Sequence, residues 1–194
     1  MGDPAAKLRM TEAEYLAFER ASDEKHEFAD GEIFAISGGK GPHANVAANI
    51  IGTFTSTLKW RSCRVYTSDM RVHIPTTGRF VYPDASVVCG RPQFKDEQID
   101  TLLNPGIIVE VLSPSTEAYD RGDKFTNYRT LPSLKYYIMA AQDKPFVEVY
   151  TRQDDGSWQL RDYGPGSRIT LSSPECTLEI DQIYAGVFDE YDVG

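Results

Sequence analysis

The stretch Ile107-Ile108-Val109-Glu110-Val111-Leu112 is apolar at every position but one. A short continuous run of this kind reads as a buried strand, and an acid inside it needs a reason. A second run, Phe80 to Val88, is interrupted by Asp84 just after Pro83. Burying a carboxylate costs several kcal/mol unless a partner, a hydrogen-bond network or a metal compensates it. Asp84 and Glu110 are therefore the first candidates for a site, and Lys124 follows on a predicted helix. Two acids and a lysine are the parts of a metal-dependent phosphodiesterase.

The rest of the chain supplies a frame for these runs. Thr11-Glu12-Ala13-Glu14 is a capping box that opens a helix running to about Ala21. Asp30-Gly31, between Lys25–Ala29 and Glu32–Ile36, is a two-residue hairpin signal. From His43 to Trp60 the apolar residues Val46, Ala47, Ile50, Ile51, Phe54 and Leu58 recur at helical spacing. Strands are expected at Arg64–Tyr66, Met70–Ile74, Phe80–Cys89, Ile107–Leu112 and Leu134–Ala140, with a polar loop from Gly90 to Asn104. A helix starts near Ser115 and stops before Pro132, and Phe146–Arg152 with Ser157–Tyr163 form a second hairpin across Asp155-Gly156. The order predicts a single α/β (α+β) domain over residues 1–194, a mixed β-sheet flanked by helices with added hairpins, and flexible ends at 1–10 and 186–194.

With 41% hydrophobic and 11% aromatic residues, the 194-residue chain can bury one core. Cys63, Cys89 and Cys176 are widely spaced without a Cys-x-x-Cys pattern, so neither a disulfide framework nor a zinc site is indicated. A reducing cytoplasm fits best. No apolar run approaches the roughly 18 residues of a membrane span, and Met1 to Met10 lacks an apolar leader segment. Net charge is −9, yet residues 175–194 hold six acids and no Lys or Arg. The first 174 residues carry 23 acids against 20 bases, and that near-neutral body can bind DNA where a divalent metal supplies positive charge. The acidic end reads as a solvated or self-screening segment.

Three blocks, Tyr82-Pro83-Asp84, Val109-Glu110-Val111-Leu112-Ser113-Pro114-Ser115-Thr116 and Asp120-Arg121-Gly122-Asp123-Lys124-Phe125-Thr126-Asn127-Tyr128, resemble the Uma-type restriction endonuclease family of the PD-(D/E)XK nuclease superfamily. The similarity runs from Thr11 to about Tyr163. It implies a restriction-endonuclease-like core, Mg²⁺ (or Mn²⁺) held by Asp84 and Glu110, and a lysine supporting the attacking water. The superfamily's usual strand lysine falls at Leu112, so the resemblance implies that the lysine has moved to Lys124 on the helix, where it shares a face with Asp120. DNA is the implied substrate and a homodimer the implied assembly.

Elementary chemistry agrees with those roles, because phosphodiester hydrolysis needs an activated water and neutralisation of developing charge, and oxygen ligands suit Mg²⁺ or Mn²⁺. Glu27 and His43 are accessory candidates. Their plainer readings are a solvated hairpin pair for Glu27 with Lys25 or an arginine, and a helix-start histidine bonded to a carbonyl. Tyr136, Tyr137 and Tyr150 can stack on bases or fill the core. The expected function is metal-dependent endonucleolytic cleavage of DNA. The alternatives are a nuclease-fold DNA-binding or regulatory module whose chemistry has faded, and a hydrolase of a small phosphorylated molecule.

Overall fold

A computed structural model describes residues 9–36 and 38–188. Helix α1, Glu12–Ala21, opens on the expected capping box: the Thr11 side chain accepts the Glu14 amide while the Glu14 carboxylate accepts the Thr11 amide. Strands β1, His26–Ala29, and β2, Glu32–Ala35, form a hairpin. Its turn places Asp30 at φ 53° and Gly31 at φ 83°, the left-handed pair that a two-residue turn requires.

Helix α2, Gly41–Leu58, carries Pro42 in its first turn, where a missing N–H costs nothing. Its stripe Val46, Ile50, Phe54 and Leu58 is fully buried. Strands β3, Cys63–Thr67, and β4, Arg71–Ile74, follow. The expected single strand Phe80–Cys89 is in fact two, β5, Arg79–Val81, and β6, Ala85–Cys89. Pro83 has no amide to give a ladder and restricts Tyr82 before it, so the chain leaves one sheet and enters another across Tyr82-Pro83-Asp84.

The expected polar loop before Asn104 contains β7, Thr101–Leu102, both buried and paired parallel to β4. Strand β8, Ile107–Leu112, is buried at every residue. The helix expected near 115–129 is three joined pieces: α3, Glu117–Tyr119, a π-helical turn, Asp120–Lys124, and α4, Phe125–Tyr128. Strands β9, Tyr136–Ala141, β10, Val147–Arg152, and β11, Trp158–Tyr163, complete the larger sheet.

The five-stranded sheet has the order β2-β1-β5-β4-β7 and the six-stranded sheet the order β11-β10-β9-β8-β6-β3. Both are mixed, with β8 and β9 parallel. Ile107, Val109 and Val111 face the α2 stripe. Ile108 and Leu112 face the opposite layer with Phe125, Tyr128 and Val72, Ile74 and Val81 of the smaller sheet. The six-stranded sheet is thus covered on both sides, and its second face carries the buried polar residues Ser86, Glu110 and Glu148 among the apolar ones.

Two expectations are corrected. Cys63 and Cys89 are disulfide-bonded, because the β3–β6 register sets them directly opposite; this removes the cysteine argument for a reducing compartment. The acidic end is no solvated segment as far as it is described: β12, Arg168–Ser172, and β13, Glu175–Glu179, form a hairpin followed by α5, Ile180–Ile183. Ile169, Leu171, Leu178, Ile180 and Ile183 pack on α2 while the acids alternate outward. Residues 1–8 and 189–194, most of the expected flexible ends, lie outside the described residues; within those ends the Met10 amide donates to the Gly31 carbonyl and Val187 is buried. No helix among the described residues is long and apolar enough to cross a membrane.

Candidate active site

The strand break at Pro83 leaves Asp84 on the connection between the two sheets. Its Oδ2 accepts the Val111 amide at 2.6 Å and its Oδ1 lies 2.9 Å from His43 Nε2. Asp84 thus caps a backbone amide, and that amide belongs to the strand carrying Glu110. Glu110 Oε1 accepts the Tyr128 hydroxyl at 3.0 Å and sits 3.1 Å from Lys124 Nζ. Lys124 is buried, and its ammonium also lies 3.3 Å from Glu27 Oε1 and 3.4 Å from Asp120 Oδ1.

Glu27 is not on a solvated hairpin face: it is buried in β1, where its Oε1 also accepts the Tyr82 amide at 3.2 Å. His43 bonds a carboxylate instead of a carbonyl. All five residues singled out from sequence, Glu27, His43, Asp84, Glu110 and Lys124, fall in this neighbourhood. Tyr136 and Tyr137 are core residues, and Tyr150 stacks on Phe125 with ring centroids 4.0 Å apart.

The family model for Uma2, described as "putative restriction endonuclease", matches residues 12–181. The chain belongs to the Uma2 family. Two uncharacterized proteins of Synechocystis sp. are similar to it. One, slr1290, is 36% identical over 92% of this chain and 93% of its own length; the other, sll1609, is 35% identical over 84% and 93%. The crystal structure of a putative nuclease belonging to DUF820 from Anabaena variabilis superposes with a TM-score of 0.75 at 18% identity, covering 92% of this chain and 99% of that one. At that identity the likeness speaks for a shared fold, mixed sheets flanked by a few helices.

In this Uma2 protein the matched segment contains the whole cluster, and its charges do not balance. Glu27, Asp84, Glu110 and Asp120 face one lysine and one histidine. Burial pushes the Glu110 carboxyl well up, and Asp120, Asp84 and Glu27 push it further, while Lys124 opposes them. Burial also raises Asp120, with Asp84 adding to it. Lys124 is held well above its ordinary value, because Glu110, Glu27 and Asp120 outweigh the burial that would lower it. The hydrogen bond to Asp84 raises His43 against its burial.

This donor set fits a divalent cation. Asp120 Oδ1 is a buried carboxylate oxygen without a hydrogen bond, and the net excess of two or three negative charges is what a dication would neutralise. No three Asp, Glu, His or Cys side chains among the described residues are already gathered tightly enough to hold a metal as they stand. The point to which Glu27, Glu110 and Asp120 all turn is taken by the Lys124 ammonium.

Sequence reasoning missed Asp120 as a site member, although its four-residue offset from Lys124 was visible, and it missed Tyr128, another four residues on. The signal for both was the stripe Asp120, Lys124, Tyr128 on one helix face. Tyr82 and Val111 enter through backbone amides, which leave no mark on side-chain identity.

Proposed function

We propose that this protein is a divalent-cation-dependent endodeoxyribonuclease of the PD-(D/E)XK type. The observation that carries the reading is Lys124 beside Glu110: a helix lysine reaches the strand acid where the superfamily's strand lysine is replaced by Leu112. Leu112 packs into the apolar cluster with Phe125 and Met139, so the strand position has become core and the charge comes from the helix.

Asp84 and Glu110 would hold Mg²⁺ or Mn²⁺, which supplies a lowered water pKa and neutralisation of charge on the phosphoryl oxygens. The Val111 amide and His43 fix Asp84, and the Tyr128 hydroxyl fixes Glu110. Lys124 keeps its proton, so it acts as an electrostatic partner and not as a base: it orients the attacking water and stabilises the negative charge that grows on the phosphoryl group. The water oxygen bonds to phosphorus and gives up a proton to solvent or a phosphate oxygen, while the phosphorus–oxygen bond to the leaving nucleotide breaks and the departing oxygen takes a proton from solvent. Glu27, joined to Lys124, to the Tyr82 amide and at 3.5 Å to the Tyr119 hydroxyl, holds the ammonium in place.

Cutting both strands of a duplex calls for two such sites, and a homodimer belongs to this reading. The outer strand β11, with Leu160 exposed, offers a surface for it; a monomeric mass in gel filtration would refute that part.

The test is a panel of plasmid and single-stranded DNA with Mg²⁺ or Mn²⁺, comparing wild type with Asp84→Ala and Lys124→Ala. Cleavage by wild type, lost in both variants, is expected. Cleavage that survives Asp84→Ala would place the chemistry elsewhere, and no cleavage by wild type would favour the binding module.

A further inference from the structure

We infer that Asp120 is a third ligand of the cation, binding it from the helix while Asp84 and Glu110 bind it from the sheet. This rests on the reading of the cluster as a divalent-cation site and adds a residue that the resemblance did not supply.

The other carboxylates of the cluster each have a hydrogen-bond donor, and Thr116 donates to the Asp120 carboxylate as well, though not at Oδ1. Asp84 takes the Val111 amide, Glu110 the Tyr128 hydroxyl and Glu27 the Tyr82 amide. Asp120 Oδ1 is buried, its side chain is 3% exposed, and no donor reaches it within hydrogen-bond geometry. The ammonium of Lys124, 3.4 Å away, is its charged neighbour. A buried anionic oxygen left so is costly, and it persists where a cation completes it. The same ammonium lies near Glu27 and Glu110, so this cradle already accommodates positive charge surrounded by carboxylate oxygens from β1, β8 and the helix.

The backbone explains why Asp120 can serve. The π-helical turn Asp120–Lys124 inserts an extra residue per turn, a device common at functional sites, and it turns both side chains into the interior together. The Asp120 carbonyl accepts the Tyr137 hydroxyl at 2.9 Å, pinning the turn to β9. That anchor is backbone, so replacing the side chain spares it.

A cation held by Asp84, Glu110 and Asp120 would tie the 117–128 helix to the six-stranded sheet. The experiment is calorimetric titration of the full chain with Mn²⁺ alone, without DNA, paired with amide hydrogen exchange, on wild type, Asp120→Asn and Glu117→Gln. Glu117 is an exposed acid one turn away, paired with Arg121. Expected are a Mn²⁺ affinity reduced about tenfold or more in Asp120→Asn, the scale for losing support around a bound metal, and wild-type affinity in Glu117→Gln. Mn²⁺ should slow exchange at 117–128 in wild type and not in Asp120→Asn. Equal affinity and equal protection in wild type and a folded Asp120→Asn would overturn the assignment while leaving the cation site standing. A loss of affinity as large in Glu117→Gln would also overturn it, by showing an effect of net charge alone. No Mn²⁺ binding by wild type would remove both this inference and the cation-dependent reading.

Discussion

At the scale of single residues, Lys124 is where the account is most exposed. Its ammonium sits among Glu27, Glu110 and Asp120, so it both neutralises the acids and competes with a dication for them. Lys124→Met should therefore do two opposite things: abolish cleavage and tighten Mn²⁺ binding, read by titration in the absence of DNA. An affinity that weakens would show that Lys124 builds the cation site instead of competing for it. Tyr128→Phe removes the hydroxyl that Glu110 accepts; losing a buried hydrogen bond to a charged group costs about 1.5–3 kcal/mol, and denaturant unfolding should register it. A change below that range would mean Glu110 takes its proton donor elsewhere.

At the scale of elements, the disulfide and the α2 stripe carry separate predictions. Cys63→Ser with Cys89→Ser opens a link across 26 residues, for which chain entropy gives a loss of about 3–4 kcal/mol; chemical denaturation with and without reductant checks it, and identical midpoints would refute the bond. Phe54→Ala, in the middle of the buried stripe, should cost about 3–5 kcal/mol. What could be read from sequence at this scale was whatever local chemistry decides. The capping box, the Asp30-Gly31 turn, the α2 periodicity and the acid in β8 all carry their reason within a few residues. What escaped depends on partners far along the chain. Pro83 was visible, but not that β5 and β6 belong to different sheets, and Cys63 meets Cys89 through strand register alone. The hairpin β12–β13 was hidden because its outward acids made a half-buried strand pair look like a polar tail. In the site, Asp84 and Glu110 were legible as acids interrupting apolar runs and Lys124 through its helix position and the family resemblance, whereas Asp120 was read as a neighbour of Lys124 because the π-turn that buries it has no sequence signature.

At the scale of the whole molecule, surplus buried negative charge sets the pH response. Glu110, Asp120 and His43 all have pKa values raised in the folded protein. Each contributes stability that is complete below its ordinary value and lost as pH rises through the raised one. Metal-free protein should accordingly lose stability from the carboxylate range near 4.5 upward, and again above 6.5 as His43 deprotonates. Lys124, raised as well, stays charged across that window. The acid limb comes from lowered groups, Asp100 at about 2 beside Arg20 foremost, with Glu12 and Asp69; their stabilisation is lost as pH falls below 3.8 for the aspartates and 4.5 for Glu12. Melting temperatures across pH should peak in mildly acid buffer, and Mg²⁺ should flatten the alkaline decline. A metal-free stability that climbs steadily to pH 8 would contradict the buried-charge account.

The most direct test compares DNA cleavage by wild type and Lys124→Ala in Mg²⁺, with cation binding measured on the same samples. The account predicts that wild type cuts, and that Lys124→Ala binds the cation yet cuts slower by about 10²–10⁴-fold, the range for losing a positioned catalytic group. Cleavage at the wild-type rate by Lys124→Ala would contradict it.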